Sequence, residues 1–274
     1  FNMKKFENVP SLIKWTGSKR LQAKEIQKFI PENISTYYEP FLGGASILYN
    51  NTDKNTFAND IYSEIIDLWL LVQKNPQYVI DSYTENWNLL QSDFPNYFYI
   101  VRDRFNLDKR PTDLLFLART AVNGIIRFNS KGHFNNSIHL SRRGMKPETF
   151  SKIVMKWHDK IQNTKFSKKD YSSFLKATQK GDFVYLDPPY AGSNSRYIQN
   201  LDLDKLIKEL NKLNDKGVLW ALSFDGLNNN NNFQHLIPEE LYKRVFEISI
   251  GKSKVSQVLN KKNNSSYEHL YLNY

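Results

Sequence analysis

The sequence predicts an α/β protein built on an open, mostly parallel sheet, and three observations carry that expectation. A strand, a glycine turn and a helix-forming stretch succeed one another from Tyr37 to Leu48, and a second strand and helix follow from Asn55 onward. Two compact apolar strands then return in the second half of the chain, one running into Asp187 and the other ending before Phe224. Between the halves, from Lys74 to Thr149, the chain turns rich in Tyr, Asn and Arg with helical patches and few β-branched runs. We read 74–149 as an inserted, mostly helical domain, and 1–73 with 150–274 as one discontinuous unit.

The first strand and turn are carried by YYEPFLGGASIL, where an aromatic run meets a Gly pair and then small and apolar residues suited to opening a helix. Asn55–Asn59 is the second strand, closed by Asp60, and IYSEIIDLWLLVQ beyond it spaces its apolar residues for a helix. Asp182–Leu186 is a third strand, stopped by Pro188 and Pro189, which cannot continue a ladder. Gly217–Ser223 is a fourth. Ligands of such a sheet bind above the carboxyl ends of the strands.

Lys and Arg number 38 against 28 Asp and Glu, a formal net charge of +10, which favours a polyanionic partner. Nucleic acid fits. A membrane surface does not, because there is neither a long apolar run nor a basic helix with a bulky apolar face. The chain has no cysteine and five scattered histidines, so no thiolate metal site is possible and no metal is expected. Phe1–Lys5 lacks the apolar core of a signal peptide, so a cytoplasmic location, bacterial or phage-type, is expected.

The chemistry concentrates at Asp187-Pro188-Pro189-Tyr190. An amino group on a nucleobase is a poor nucleophile because its lone pair is delocalised into the ring. A carboxylate and a neighbouring carbonyl that accept its hydrogens favour a more tetrahedral nitrogen. The prolines stiffen the turn so that Asp187 and the Pro188 carbonyl can converge on one nitrogen, while Tyr190 offers a face for an extruded base. A proline-rich strand terminator with a solvated Asp is the bland alternative for those four residues. Gly43 and Gly44 let the backbone approach a ligand, with the following helix turning its positive end toward it, and the pattern differs from G-x-G-x-x-G. Asp60 sits where a carboxylate could accept two ribose hydroxyls, or where it could simply cap a helix.

In order along the chain stand Lys14-Trp15-Thr16-Gly17-Ser18-Lys19, Glu39-Pro40-Phe41-Leu42-Gly43-Gly44-Ala45-Ser46 and Asp187-Pro188-Pro189-Tyr190. With the insert, this series resembles the Dam-like, alpha-group DNA adenine-N6 methyltransferases over nearly the whole chain. The resemblance implies a Rossmann-like methyltransferase sheet with helices on both faces, an inserted mostly helical DNA-recognition domain, and S-adenosyl-L-methionine as cofactor. It implies that Trp15, Gly17 and Lys19 lie around the methionine end of the cofactor, with the loop Glu39, Pro40, Phe41, Gly43, Gly44, Ala45 and Ser46 beneath it. Asp60 then matches the ribose-binding acid, and Asp170-Tyr171 the segment beside the adenine. Many relatives carry a further Gly where this chain has Ala45-Ser46.

Within the insert, Arg119 to Asn129 and Lys131 to Asn135 resemble the family's N-G-L-x-R-x-N and G-x-F-N segments. The resemblance assigns Lys14, Arg119, Asn123, Arg127, Asn129, Lys131 and Asn135 to double-stranded DNA. Arg127 is the best placed for guanine, with Lys14 a second candidate by family position, and a phosphate clamp or a solvated helix position is the alternative for Arg127 and Arg119. Arg142 and Arg143 suit phosphates, and Tyr197 is either a cover for the flipped adenine or a plain loop residue. The expected activity is transfer of a methyl group to N6 of an adenine flipped from the duplex, with a cognate restriction endonuclease as a candidate partner. An inactive DNA-binding regulator of the same fold, and an RNA, protein-amide or cytosine-N4 methyltransferase, are the alternatives. Cytosine-C5 chemistry, which relies on a thiol, is disfavoured by the lack of cysteine.

Overall fold

A computed structural model describes residues 4–122, 131–189, 201–224, 236–252 and 265–274. Seven strands form one sheet in the order β3-β2-β1-β4-β5-β7-β6. They are β1 (Thr36–Glu39), β2 (Asn55–Asn59), β3 (Thr164–Ser167), β4 (Phe183–Leu186), β5 (Leu219–Phe224), β6 (Arg244–Lys252) and β7 (Ser265–Leu272). Strands β1 to β5 pair in parallel, and β7 runs antiparallel to both β5 and β6. The order reverses between β1 and β4, so the two strands' carboxyl ends open a crevice there.

Both faces of the sheet are covered, which is why β1 and β4 are buried at every position rather than alternating with polar residues. Tyr37, Phe183, Tyr185 and Ala221 point into one core, Tyr38, Val184, Leu186, Trp220 and Leu222 into the other. The second core is closed by α7 (Tyr171–Leu175) and α8 (Leu203–Lys216). On the first face lies α2 (Ser63–Lys74), whose Trp69 packs 4.7 Å from Trp157 of α6 (Pro147–Lys160). Between α2 and α6 stand α3 (Pro76–Ser92), α4 (Asn96–Asp108) and α5 (Pro111–Thr120). Their buried residues continue the first core. A short α1 (Ala23–Gln27) precedes the sheet. Among the described residues no helix is long and apolar enough to cross a membrane.

Two local expectations need correction. No α-helix follows Gly43-Gly44: Ala45 turns into the left-handed region at φ 60°, and only a three-residue 3-10 helix, Leu48–Asn50, comes after it. The expected helix dipole is therefore not available to this turn. Gly217 does not open β5 either. At φ 73° it is the left-handed residue that ends α8, and the strand starts two positions later.

Candidate active site

The glycine turn is held from behind by the end of β2. Leu42 N donates to Asn59 O at 2.9 Å, Asn59 Nδ2 donates to Pro40 O at 3.1 Å, and Gly43 N donates to Asp60 Oδ2 at 2.9 Å. The other carboxylate oxygen of Asp60 accepts from Tyr62 N at 2.9 Å. Burial pushes the Asp60 carboxyl up to about 6, against the pull of these amides. From the front, Trp15 presses so close that a Cβ on Gly43, already at φ 49°, would stand 2.7 Å from its ring. Only glycine fits there. Trp69 Nε1 donates to Gly43 O at 3.0 Å, so both peptide groups of the residue are fixed.

Above this turn one cavity is lined by Trp15, Gly17 and Lys19, by Glu39 and Phe41 to Ser46, and by Tyr185 and Asp187. The glycine turn and the end of β4 thus share a single space. Lys19 Nζ lies 3.1 Å from Asp187 Oδ1 and 3.2 Å from Glu268 Oε1 of β7, and donates to Gly17 O at 3.2 Å. Burial alone would lower this lysine, but the two carboxylates outweigh it and hold the ammonium above its ordinary range. Burial raises Asp187, with Lys19 opposing the shift. Glu39 is 2% exposed and accepts a 2.5 Å hydrogen bond from Tyr37 OH. Burial lifts its carboxyl well above the usual range despite that bond. Behind Asp187, the Tyr185 and Ser223 hydroxyls share a 2.7 Å bond.

The model of the D12 class N6 adenine-specific DNA methyltransferases matches residues 15–249, most of the chain and, Lys14 apart, all three motif blocks. The chain belongs to this family. Among its relatives, the Type II methyltransferase M1.LlaDCHI of Lactococcus lactis subsp. cremoris is 28% identical over 86% of this chain and 85% of that protein. The Type II methyltransferase M.MjaIII of Methanocaldococcus jannaschii is also 28% identical, over 97% of this chain and 99% of its own. A DNA adenine methylase of Serratia marcescens is 30% identical over 66% of this chain and 67% of that protein. The methyltransferase fold, the enzyme class and adenine N6 in DNA as the family's target are thereby established for the chain, and with them a methyl donor as co-substrate.

Other residues singled out in this D12 methyltransferase fall in several places. Asp170 caps α7, accepting from Ser172 N at 3.0 Å, and pairs with Lys205 at 2.8 Å. Tyr171 does not line the cavity but lies 4.9 Å, ring to ring, from Phe41, which does. Pro188 and Pro189 directly follow Asp187, the first buried and the second half-buried. Tyr190, Tyr197, Asn123, Arg127 and Asn129 lie outside the described residues.

On the helical side, Thr120 to Val122 pairs with Ser137 to His139 through Val122 N to Ser137 O at 2.9 Å and His139 N to Thr120 O at 3.0 Å. Lys14, Lys131, Asn135, Arg142 and Arg143 are exposed around this pairing or beside it in sequence. Partial burial and the charges of Arg119 and Arg142 depress Lys14, which puts both arginines within electrostatic reach of it. Arg119 differs from the rest. It is 9% exposed, donates to Ser11 O at 2.7 Å, and lies 5.3 Å from the centre of the Phe150 ring. Its guanidinium is thus bound inside the protein, tying α5 to the segment that carries Lys14.

Sequence reasoning missed Glu268, Tyr37 and Tyr185. Tyr37 stands two residues before Glu39 on the same strand face, a spacing visible in the sequence. Glu268 is the one carboxylate in SSYEHLYL, a strand whose later residues are aromatic and aliphatic, which is a detectable sign of a buried role.

Proposed function

We propose that this methyltransferase uses S-adenosyl-L-methionine to methylate N6 of an adenine flipped out of double-stranded DNA, with Asp187 and the Pro188 carbonyl accepting the two amino hydrogens. The observation that carries this reading is the shared cavity, which brings Asp187 to the same space as the glycine turn. The residues present suit the cofactor's chemistry. Acidic groups favour its sulfonium and ammonium charges, Lys19 favours its carboxylate, and the adjoining Phe41 and Tyr171 rings offer apolar faces for an adenine. When bound it supplies an electrophilic methyl group. The backbone of Gly43 to Ser46 forms the floor, Pro40 and Glu39 brace it, and Asp60 holds the turn in place for the ribose. Tyr190 completes the motif as the stacking face for the base.

Residues 74–149 serve as the DNA-recognition part in this reading. Lys14, Lys131, Asn135, Arg142 and Arg143 supply exposed contacts, Arg119 positions Lys14 from within, and Asn123, Arg127, Asn129 and Tyr197 join them on motif position alone. A cognate restriction endonuclease is the partner suggested by the Type II relatives. Purified protein with labelled S-adenosyl-L-methionine and plasmid DNA tests the whole: label is expected on N6 of adenine in one flanking context. Label on RNA, on protein or on cytosine, or no transfer at all, would overturn it.

A further inference from the structure

Lys19 Nζ donates to Gly17 O and forms ion pairs with both Asp187 and Glu268. Such an arrangement is costly to build, because Lys19 is 8% and Glu268 5% exposed, and removing either charge strands the other in a poor solvent. The two acids come from distant parts of the chain, Asp187 after β4 and Glu268 from β7, which antiparallel pairing inserts beside β5. One cation therefore sits between two carboxylates at the mouth of the crevice.

We infer that Glu268 is a positioning residue that shares Lys19 with Asp187, so that the lysine only partly neutralises the Asp187 carboxylate and leaves it the stronger acceptor for the hydrogens of the target amine. This rests on the function proposed above. A lone Lys19–Asp187 pair would spend the lysine's charge on a single carboxylate and leave it a weaker acceptor. With Glu268 present, the cluster retains one negative charge. The other groups facing it do not take this part. Glu39 is bonded by Tyr37, Asp60 is committed to Gly43 N and Tyr62 N, and Tyr185 is bonded to Ser223.

The test is the titration of the Asp187 carboxyl, followed by carbon-detected NMR in cofactor-free protein and assigned with Asp187→Asn. Glu268→Gln removes a like charge and gives Lys19 undivided to Asp187, so the midpoint should fall by about one pH unit; Lys19→Met should raise it. Glu268→Asp keeps the charge and should leave the midpoint near that of the wild type, which also serves if the glutamine variant folds poorly. In methylation assays Glu268→Gln should lower kcat roughly tenfold with an unchanged KM for DNA. An unmoved or raised midpoint in Glu268→Gln, or an unchanged kcat, overturns the inference. Absence of adenine methylation by the wild type would instead overturn the proposed function, and the NMR arm would still decide the role of Glu268.

Discussion

Two regions of this methyltransferase treat charge in opposite ways. At the carboxyl ends of the strands, Glu39, Asp60 and Glu268 are buried, Asp187 is nearly so, and one buried lysine stands among them. On the helical side, Lys14, Arg142 and Arg143 stand in solvent, with Arg119 as the inward exception. Desolvated charges act strongly over a few ångströms and are little screened by salt, whereas exposed cations attract polyanions from farther away and fade as salt rises. The first arrangement suits control of one atom, the second suits holding a long phosphate chain. If that division is real, substitutions should separate rate from affinity cleanly.

The largest effect belongs to Asp187→Ala. Losing a preorganised acceptor at the reacting atom should cost about 100- to 1000-fold in kcat, while duplex DNA affinity stays within about twofold. Single-turnover methylation beside a DNA-binding titration measures both. Equal losses in the two would erase the distinction between the regions.

Asp60 gives a stability readout of the same acidic end. Its folded pKa of about 6 lies above the value near 3.9 of an unfolded aspartate, so the native state holds the extra proton between those values. Stability from this group is therefore fully present below about pH 4 and is lost as pH rises through 6, by roughly 3 kcal/mol. Asp60→Asn should be less stable at pH 4, since one of two backbone amides loses its acceptor, yet show a flatter decline toward pH 7. Denaturant unfolding across that range measures the difference, and parallel declines in both proteins would refute it.

The acidic end was also the more legible in the sequence. Asn55–Asn59 is a strand with the bounds its residues suggest, and Gly43 and Asp187 line one cavity, with Asp60 bonded to Gly43 N behind the turn. These features are local: a short apolar run, a turn residue, a proline pair. What escaped depends on long-range pairing. Glu268 reaches Lys19 only because β7 slots between β5 and β6, and nothing within eight residues of it reveals that neighbour. Arg119 looked like a surface cation, but it lies in DLLFLART, a helix buried at every described position beyond its first turn. A run without a polar face means that both sides are covered.

The basic region is expected to show smaller, salt-dependent effects. Arg142→Ala should weaken duplex binding by about 1 kcal/mol, roughly fivefold, lower the slope of log affinity against log salt by about 1, and leave kcat at saturating DNA unchanged. Binding isotherms at several salt concentrations decide it. A salt-independent loss would mean that Arg142 reads a base or supports the fold. Arg119→Ala makes the sharper contrast within this region, since its buried bond to Ser11 O predicts a loss of thermal stability that salt does not rescue.

The smallest effect lies back at the glycine turn, where two neighbouring positive-φ residues differ in kind. Gly43 is confined by Trp15 as well as by its backbone angle, whereas Ala45 at φ 60° only bears the angle. An L-residue in that region costs roughly 1–2 kcal/mol. Replacing it by glycine removes that strain but returns about 0.4–1 kcal/mol of freedom to the unfolded chain. The strain is the larger figure, so Ala45→Gly should stabilise the protein by about 0.5 kcal/mol. Ala45 is fully buried, however, and its methyl fills part of the first core. Loss of stability in a melting comparison would show that this packing outweighs the backbone, and that the alanine is there to fill space rather than tolerated in place of a glycine.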